Sequence, residues 1–430
     1  MQELLSYDQS PPIAAPFRFF LSAPVFTILA GLVLAWAGPD AFASRWTPGI
    51  LASTHLVTVG FMLQVMLGAL IQIFPVVIGA NMKRPLWVGA IVHLSICFGA
   101  VFLAAAFFSL DPYWFAAASL FLGGGTAYFL VSAALALFGI PAVSPTVTGL
   151  KISLVGLVVT VVLGVLMTFG FSGKLDLPLL QLADVHLAWG FVAWGLMLLA
   201  AVAYVVVPMF QLTPSYPRWC GREFLFTVLG VVVLWSVCYL IDSGVWSTVV
   251  ALGVIVACGA FAVVTLSIQR KTKRPSFDAT QHYWRFAMLS ILAACGVWGA
   301  ATAFPTVGEW PGWPLACGVL IIFGGFVSVI SGMLYKIVPF LIWLHLQNQG
   351  QGRLMAPNMK KIIAEAAMRR QMQGHLLSCL LLLLAVVWPD WFVYPSAAAI
   401  VLAQAGLFAN LLAGVRVFRA HQRRLAALAS

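Results

Sequence analysis

Apolar stretches of about twenty residues, each closed by a polar or Pro/Gly turn, follow one another along the whole chain. Twelve can be read, at about 17–38, 50–79, 85–108, 114–138, 150–172, 181–210, 221–240, 245–268, 284–304, 314–345, 372–388 and 392–415. Each is long enough to cross a hydrocarbon core of roughly 30 Å as a helix, the form in which a single segment satisfies its own backbone there. The expected fold is an all-α polytopic membrane protein with twelve transmembrane helices.

Three of these stretches share a pattern. The second runs from Thr54-His55-Leu56 through Gly60-Phe61-Met62 and Gly68-Ala69-Leu70 to Pro75. The sixth runs from His186-Leu187-Ala188-Trp189-Gly190-Phe191 to Pro208, and the tenth from Gly324-Gly325-Phe326 to Pro339. They lie four stretches apart. This predicts a single transmembrane domain, 1–430, of three pseudo-repeated four-helix units at about 17–138, 150–268 and 284–415. His55 stands 20 residues before Pro75 and His186 stands 22 before Pro208, so at about 1.5 Å per residue the imidazoles share a depth. The residue 22 before Pro339 is Cys317, which cannot take the same role by the same geometry. The prolines each free a backbone carbonyl and are expected to kink their helices.

Composition agrees: 62% of the 430 residues are hydrophobic and 8% charged, too few charges for a soluble exterior. A net charge of +11 would suggest nucleic acid in a soluble protein, but its distribution gives another reading. With a cytoplasmic N-terminus, 20 of the 23 basic residues fall in cytoplasmic loops and termini, against Arg45 and Lys174 opposite and Lys336 within a span. This predicts a bacterial-type inner-membrane protein with both termini cytoplasmic, the lipid bilayer as its main partner and no nucleic acid. The basic clusters at 270–274, 353–370 and 416–424 are read as anchors near anionic lipid heads. The first sixteen residues carry Glu3 and Asp8 and lead straight into a full-length span, so no cleavable signal is expected. Seven scattered cysteines without C-x-x-C form neither a disulfide framework nor a zinc knuckle.

A histidine within a span is costly unless it faces the bundle interior and has a partner. Neutral imidazole ligates haem iron, copper or zinc, so His55 and His186 at matched depth are the candidate cofactor and metal ligands. The plainer reading of each is a hydrogen bond to a neighbouring helix. A second polar group gathers towards the cytoplasmic side: Gln72, Tyr335, Lys336, His93, His345 and His375. The three histidines are further candidate metal ligands, or hydrogen-bonded interfacial residues. Lys336 is expected to snorkel to the interface, to pair with a cofactor carboxylate or to serve in a proton path. Met62 and Met66 are read as core packing, and His282 and His421 as solvated. No phosphate loop, nucleophile triad or paired carboxylates can be found, so no catalytic residue is assigned.

Twelve spans in three four-helix arcs, with an externally placed histidine early in the second, resemble subunit I of the haem–copper oxidase superfamily. The resemblance covers the whole chain as topology but, as sequence, only the helices around His55, His186 and Pro339. It implies that His55 is an axial ligand to a haem b and His186 a ligand to copper. The family's tenth span carries His-x-His and its seventh a His-His pair; here the tenth has no histidine before His345 and 221–240 has none. The resemblance therefore implies a divergent branch without the full reductase centre, and not a complete terminal oxidase. The chain is similar in size and span number to the nitric-oxide-response membrane haem–copper proteins of NnrS type. Electron transfer or binding of nitric oxide or oxygen is then expected, with a redox partner protein. The alternatives are a permease for a small solute or metal, with Lys336 and the cytoplasmic histidines lining its path, or an assembly scaffold for a respiratory complex.

Overall fold

The computed structural model describes residues 9–350 and 354–428; Glu3, Asp8 and Arg353, used in the charge and leader arguments, lie outside them. Among the described residues, twelve helices are long and apolar enough to cross a membrane. They are α1 (Ala14–Ala37), α2 (Pro48–Ile78), α3 (Pro85–Ser109), α4 (Pro112–Leu137), α5 (Pro145–Phe171) and α6 (Leu179–Gln211), then α7 (Arg222–Leu240), α8 (Val245–Arg270), α9 (Ala279–Ala303), α10 (Trp313–Gly350), α11 (Glu365–Val387) and α12 (Pro389–Ala427). The protein is an all-α, polytopic integral membrane protein.

Local chemistry sets several boundaries. Proline occupies the first helical position of α4 and α5, where its missing N–H costs nothing. The residue before it caps the helix: Asp111 accepts from the Tyr113 N–H at 2.9 Å and Ser144 from the Val147 N–H at 3.2 Å. The hydropathy reading cuts several helices short, two of them most. α11 begins at Glu365 rather than 372, and α12 runs to Ala427 rather than 415. Polar sequence also forms helix, as when Arg369 pairs with Glu365 at 3.1 Å one turn away. The extension also turns His421 inward: it is buried rather than solvated.

Contacts divide the chain into two compact units. The first comprises Met1–Leu94, Phe277–Phe286 and Ile322–Ser430, with α12 packed on α1 and α11, and α1 on α2. The second comprises Ser95–Ser276 and Ala287–Ile321, with α5 packed between α4 and α6, and α7 on α8.

Three helices differ from the rest. The apolar stretches of α2, α6 and α10 are 78, 61 and 83% buried, whereas no other span exceeds 50%. In each, the α-helix gives way to a π-helical segment: Thr58–Leu63, Trp189–Leu196 and Leu320–Val327. Each segment begins three residues after position 55, 186 or 317, and the two steps between these positions are both 131 residues. The backbone forks identically at all three. The Thr58 N–H reaches the His55 and Thr54 carbonyls, Trp189 reaches His186 and Val185, and Leu320 reaches Cys317 and Ala316. π segments inside α-helices gather at functional sites. Close packing holds two of them. A Cβ on Gly60 would stand 2.5 Å from the Phe26 side chain, and one on Gly156 would stand 2.4 Å from the Ala193 backbone.

Candidate functional site

His55 and His186 belong to different units, and each takes its orientation from its own surroundings. The His55 Nδ1 lies 2.8 Å from the Leu51 carbonyl oxygen, one turn earlier in α2. The His186 Nδ1 lies 2.9 Å from the Thr160 carbonyl oxygen, on α5. A carbonyl can only accept, so in neutral imidazole Nδ1 carries the hydrogen and Nε2 the lone pair. This is the arrangement that metal-ligating histidines adopt, the second nitrogen donating to a fixed acceptor.

The packing around His186 is close. A Cβ on Gly164 of α5 would approach the His186 Cε1 to 3.3 Å, so a side chain there meets the ring. The same stretch of α6 is tied to α7 twice. Tyr239 donates to Asp184 Oδ2 at 2.7 Å, and the Trp189 indole donates to Ser236 Oγ at 3.0 Å. Val185, Trp189, Ala193 and Val232 form the buried core beneath. At the third position, the Cys317 thiol faces the Ala294 carbonyl on α9 at 3.7 Å. Like His186, it hooks onto the preceding helix, but without an imidazole.

The remaining histidines are spent differently. His345 has both nitrogens against carbonyls, Nδ1 on Leu341 at 2.9 Å and Nε2 on Pro11 at 3.1 Å, which leaves neither for a metal. The His93 Nε2 lies 2.9 Å from Ser22 Oγ, and its ring stands edge-on to Phe19. His375 is fully buried. Its Nε2 donates towards the Phe323 carbonyl at 3.2 Å and lies 2.8 Å from Ser328 Oγ. Its Nδ1 is buried without a hydrogen-bond partner. Among the described residues, no three His, Cys, Asp or Glu side chains converge where they could hold a metal ion.

The polar residues expected near the cytoplasmic side split into two places within the first unit. Gln72 donates to Ser10 Oγ at 2.8 Å, while its Oε1 is buried without a partner. Lys336 forms an ion pair with Asp278 at 2.6 Å, a partner the sequence reading did not assign. Beside it, Tyr335 joins a network that sequence reasoning missed. Tyr283 and Tyr335 both donate to Gln371 Oε1, at 2.6 and 3.0 Å, and Asn410 donates to the Tyr335 hydroxyl at 2.9 Å. The Gln371 amide donates to the Ala403 carbonyl at 3.2 Å, and the Tyr283 ring lies 5.5 Å from that of His375. Both amide atoms of Gln281, the Trp284 indole nitrogen and Ser331 Oγ are buried without partners in the same helices. The available signal was Asn410 within the apolar stretch 392–415; Gln281 and Gln371 fell in polar sequence just ahead of the stretches beginning at 284 and 372.

Between α6 and α7, burial raises two acids. The Cys220 thiol is pushed up to about 11, and the Tyr216 phenol is raised although Thr265 Oγ1 lies 3.0 Å away. Compared with known proteins, the sequence matches no protein-family profile and no curated protein.

Proposed function

We propose that the protein binds haem b in a bacterial inner membrane through His55 and His186, and serves in electron transfer or in binding a diatomic gas such as nitric oxide. The observation that carries this reading is the shared imidazole geometry: in both units Nδ1 donates to a backbone carbonyl, and Nε2 carries the lone pair. Haem fits these residues better than a bare copper ion. A single imidazole, His55 or His186, would suffice to hold a haem iron, whereas an ion held by side chains alone needs several together, and no three converge among the described residues. A bound haem would supply one-electron chemistry or ligation of a diatomic gas. The chain's own part is to fix each ring and raise its basicity through the Nδ1–H bond. The scaffold is that of the haem–copper oxidases on this reading, with the reductase centre lost and both termini cytoplasmic, the latter on the charge asymmetry.

The test is an absorption spectrum of detergent-purified wild type, oxidised and reduced, beside His55→Ala and His186→Ala, with metal analysis of the same samples. A Soret band that falls in either variant supports the reading. A wild type containing neither haem nor metal sinks it.

A second reading, a path for a small solute or proton, is favoured by the polar network around Gln371. Buried polar atoms without partners in an apolar span call for water or a ligand. Colourless protein that moves a solute in proteoliposomes, and loses that transport in Gln371→Leu, would put this reading first.

A further inference from the structure

The chain just ahead of α1 is strapped to the proline-bearing ends of α2 and α10, all within the first unit. Three consecutive residues are each held from a different place. The Asn81 amide donates to Gln9 Oε1 at 3.3 Å, the Gln72 amide to Ser10 Oγ at 2.8 Å, and His345 Nε2 to the Pro11 carbonyl at 3.1 Å. Pro11 is buried, and α1 begins at Ala14.

The third tie has a chemical condition. His345 lies between two carbonyl oxygens, Leu341 on Nδ1 at 2.9 Å and Pro11 on Nε2 at 3.1 Å. Neither oxygen has a hydrogen to give, so both ring nitrogens must carry one. That is the imidazolium, unlike the neutral ring assigned to His55 and His186. A neutral His345 has one N–H for two acceptors. The Leu341 oxygen is fixed one turn away in the same helix and the strap is not, so the bond given up is the longer one, to Pro11. Nε2 would then set a lone pair against the Pro11 oxygen.

The neighbouring charges do not supply the proton's stabilisation. Residues 9–13 of the strap are uncharged, and Lys83 and Arg84 beyond α2 are exposed. The turn Met359–Lys361, packed on α10, brings exposed Lys360 and Lys361. On α12, the stripe through Gly414, which meets Ile342, continues to buried His421, with Arg416, Arg419, Arg423 and Arg424 off that stripe. On α10 itself, Lys336 is engaged with Asp278. Basic neighbours oppose an imidazolium, so its two carbonyls are what hold it.

We propose that residues 9–11 are a proton-operated latch on α2 and α10, closed while His345 is doubly protonated and released when it is neutral. Release would open the end of α2 to water at Gln72, whose Oε1 is buried without a partner. The latch is independent of any group held by His55 or His186.

The experiment places a thiol in the buried position with Pro11→Cys, which keeps the accepting carbonyl. Iodoacetamide labelling of that residue is followed by peptide mapping of the full chain in nanodiscs, between about pH 5 and 8, where imidazole changes charge. Rates are taken relative to the same peptide in unfolded chain, which removes the thiol's own pH dependence. Relative labelling should be about tenfold slower at the acid end, the worth of one charge-assisted hydrogen bond. Adding His345→Phe should make it fast throughout, and adding His421→Gln should leave the pH dependence as it was. Protection that is flat with pH, that survives His345→Phe or that loses its pH dependence in His421→Gln overturns the latch. Nitrogen-15 NMR of the wild-type histidines leaves the strap unaltered, with the His345 signals identified by their absence from His345→Phe. Both ring nitrogens should be protonated at the acid end, and a neutral His345 there overturns the proposal.

Discussion

The Nδ1 hydrogen of His186 on α6 is accepted by the Thr160 carbonyl on α5 at 2.9 Å, whereas that of His55 is accepted by Leu51 within its own helix. The two rings therefore depend on different things. His186 is oriented by the packing of two helices and His55 by one helix alone.

Gly164→Val should displace the His186 imidazole, since even a Cβ comes within 3.3 Å of its Cε1. If His186 ligates haem, affinity at that position should fall by about 10- to 100-fold, as when an outer-shell partner is lost. The His55-dependent part of the spectrum should not change. Haem titration of Gly164→Val against Gly164→Val/His55→Ala measures both. A spectrum unchanged by Gly164→Val would detach His186 from the cofactor.

The Lys336–Asp278 pair is partly buried, with side-chain exposures of 23 and 16%. Asp278→Asn leaves the ammonium without its counter-charge and should destabilise by about 1–3 kcal/mol, below the cost of breaking a fully buried pair. Lys336→Met added to Asp278→Asn should recover most of that loss. Thermal unfolding of the double-mutant cycle reads the coupling. Strict additivity would show that the pair contributes nothing.

Gln371 accepts from two tyrosine hydroxyls and donates to a backbone carbonyl, all of them buried. Gln371→Leu strands the Tyr283 hydroxyl at about 1–3 kcal/mol and leaves that of Tyr335 only the Asn410 amide. Adding Tyr283→Phe should restore part of the stability by removing one orphaned group. Thermal melts of the three variants test this. A double variant weaker than Gln371→Leu alone would mean that the tyrosine matters through packing.

Cys220 offers a pH dependence outside the spans. Its thiol is held at about 11 by burial, and the thiolate is the nucleophile. Alkylation of folded protein should be negligible at neutral pH and rise about tenfold per pH unit up to that value. Peptide mapping after timed maleimide or iodoacetamide exposure follows it. Full labelling at pH 7 would show that the site opens.

The twelve spans were legible because a bilayer demands long apolar helices, and hydropathy reports that demand directly. The ends of α11 and α12 were not, because helix continues in polar sequence once a neighbour or an i,i+4 pair supports it. His55 and His186 could be singled out by spacing from Pro75 and Pro208. Their hydrogen-bond acceptors could not, since a carbonyl such as that of Thr160 carries no side-chain signature. His345 shows the same limit: only the fold brings the Pro11 carbonyl to its Nε2. Asp278 was visible as an acid in a loop, but its link to Lys336 crosses 58 positions of chain.

The π segments of α2, α6 and α10 also act as phase shifters. A residue added to an α-helix turns everything beyond it by about 100° about the axis, and a π turn absorbs such an addition without breaking the helix. The face that carries position 55, 186 or 317 is thereby set independently of the face that carries the proline. Deleting one residue, Val59 for example, would let α2 relax to regular α-helix and swing His55 about a quarter turn away from its present direction while α2 below the segment kept its packing. These three helices thus share a mutational route for aiming or retiring an imidazole that leaves the rest of the helix where it is.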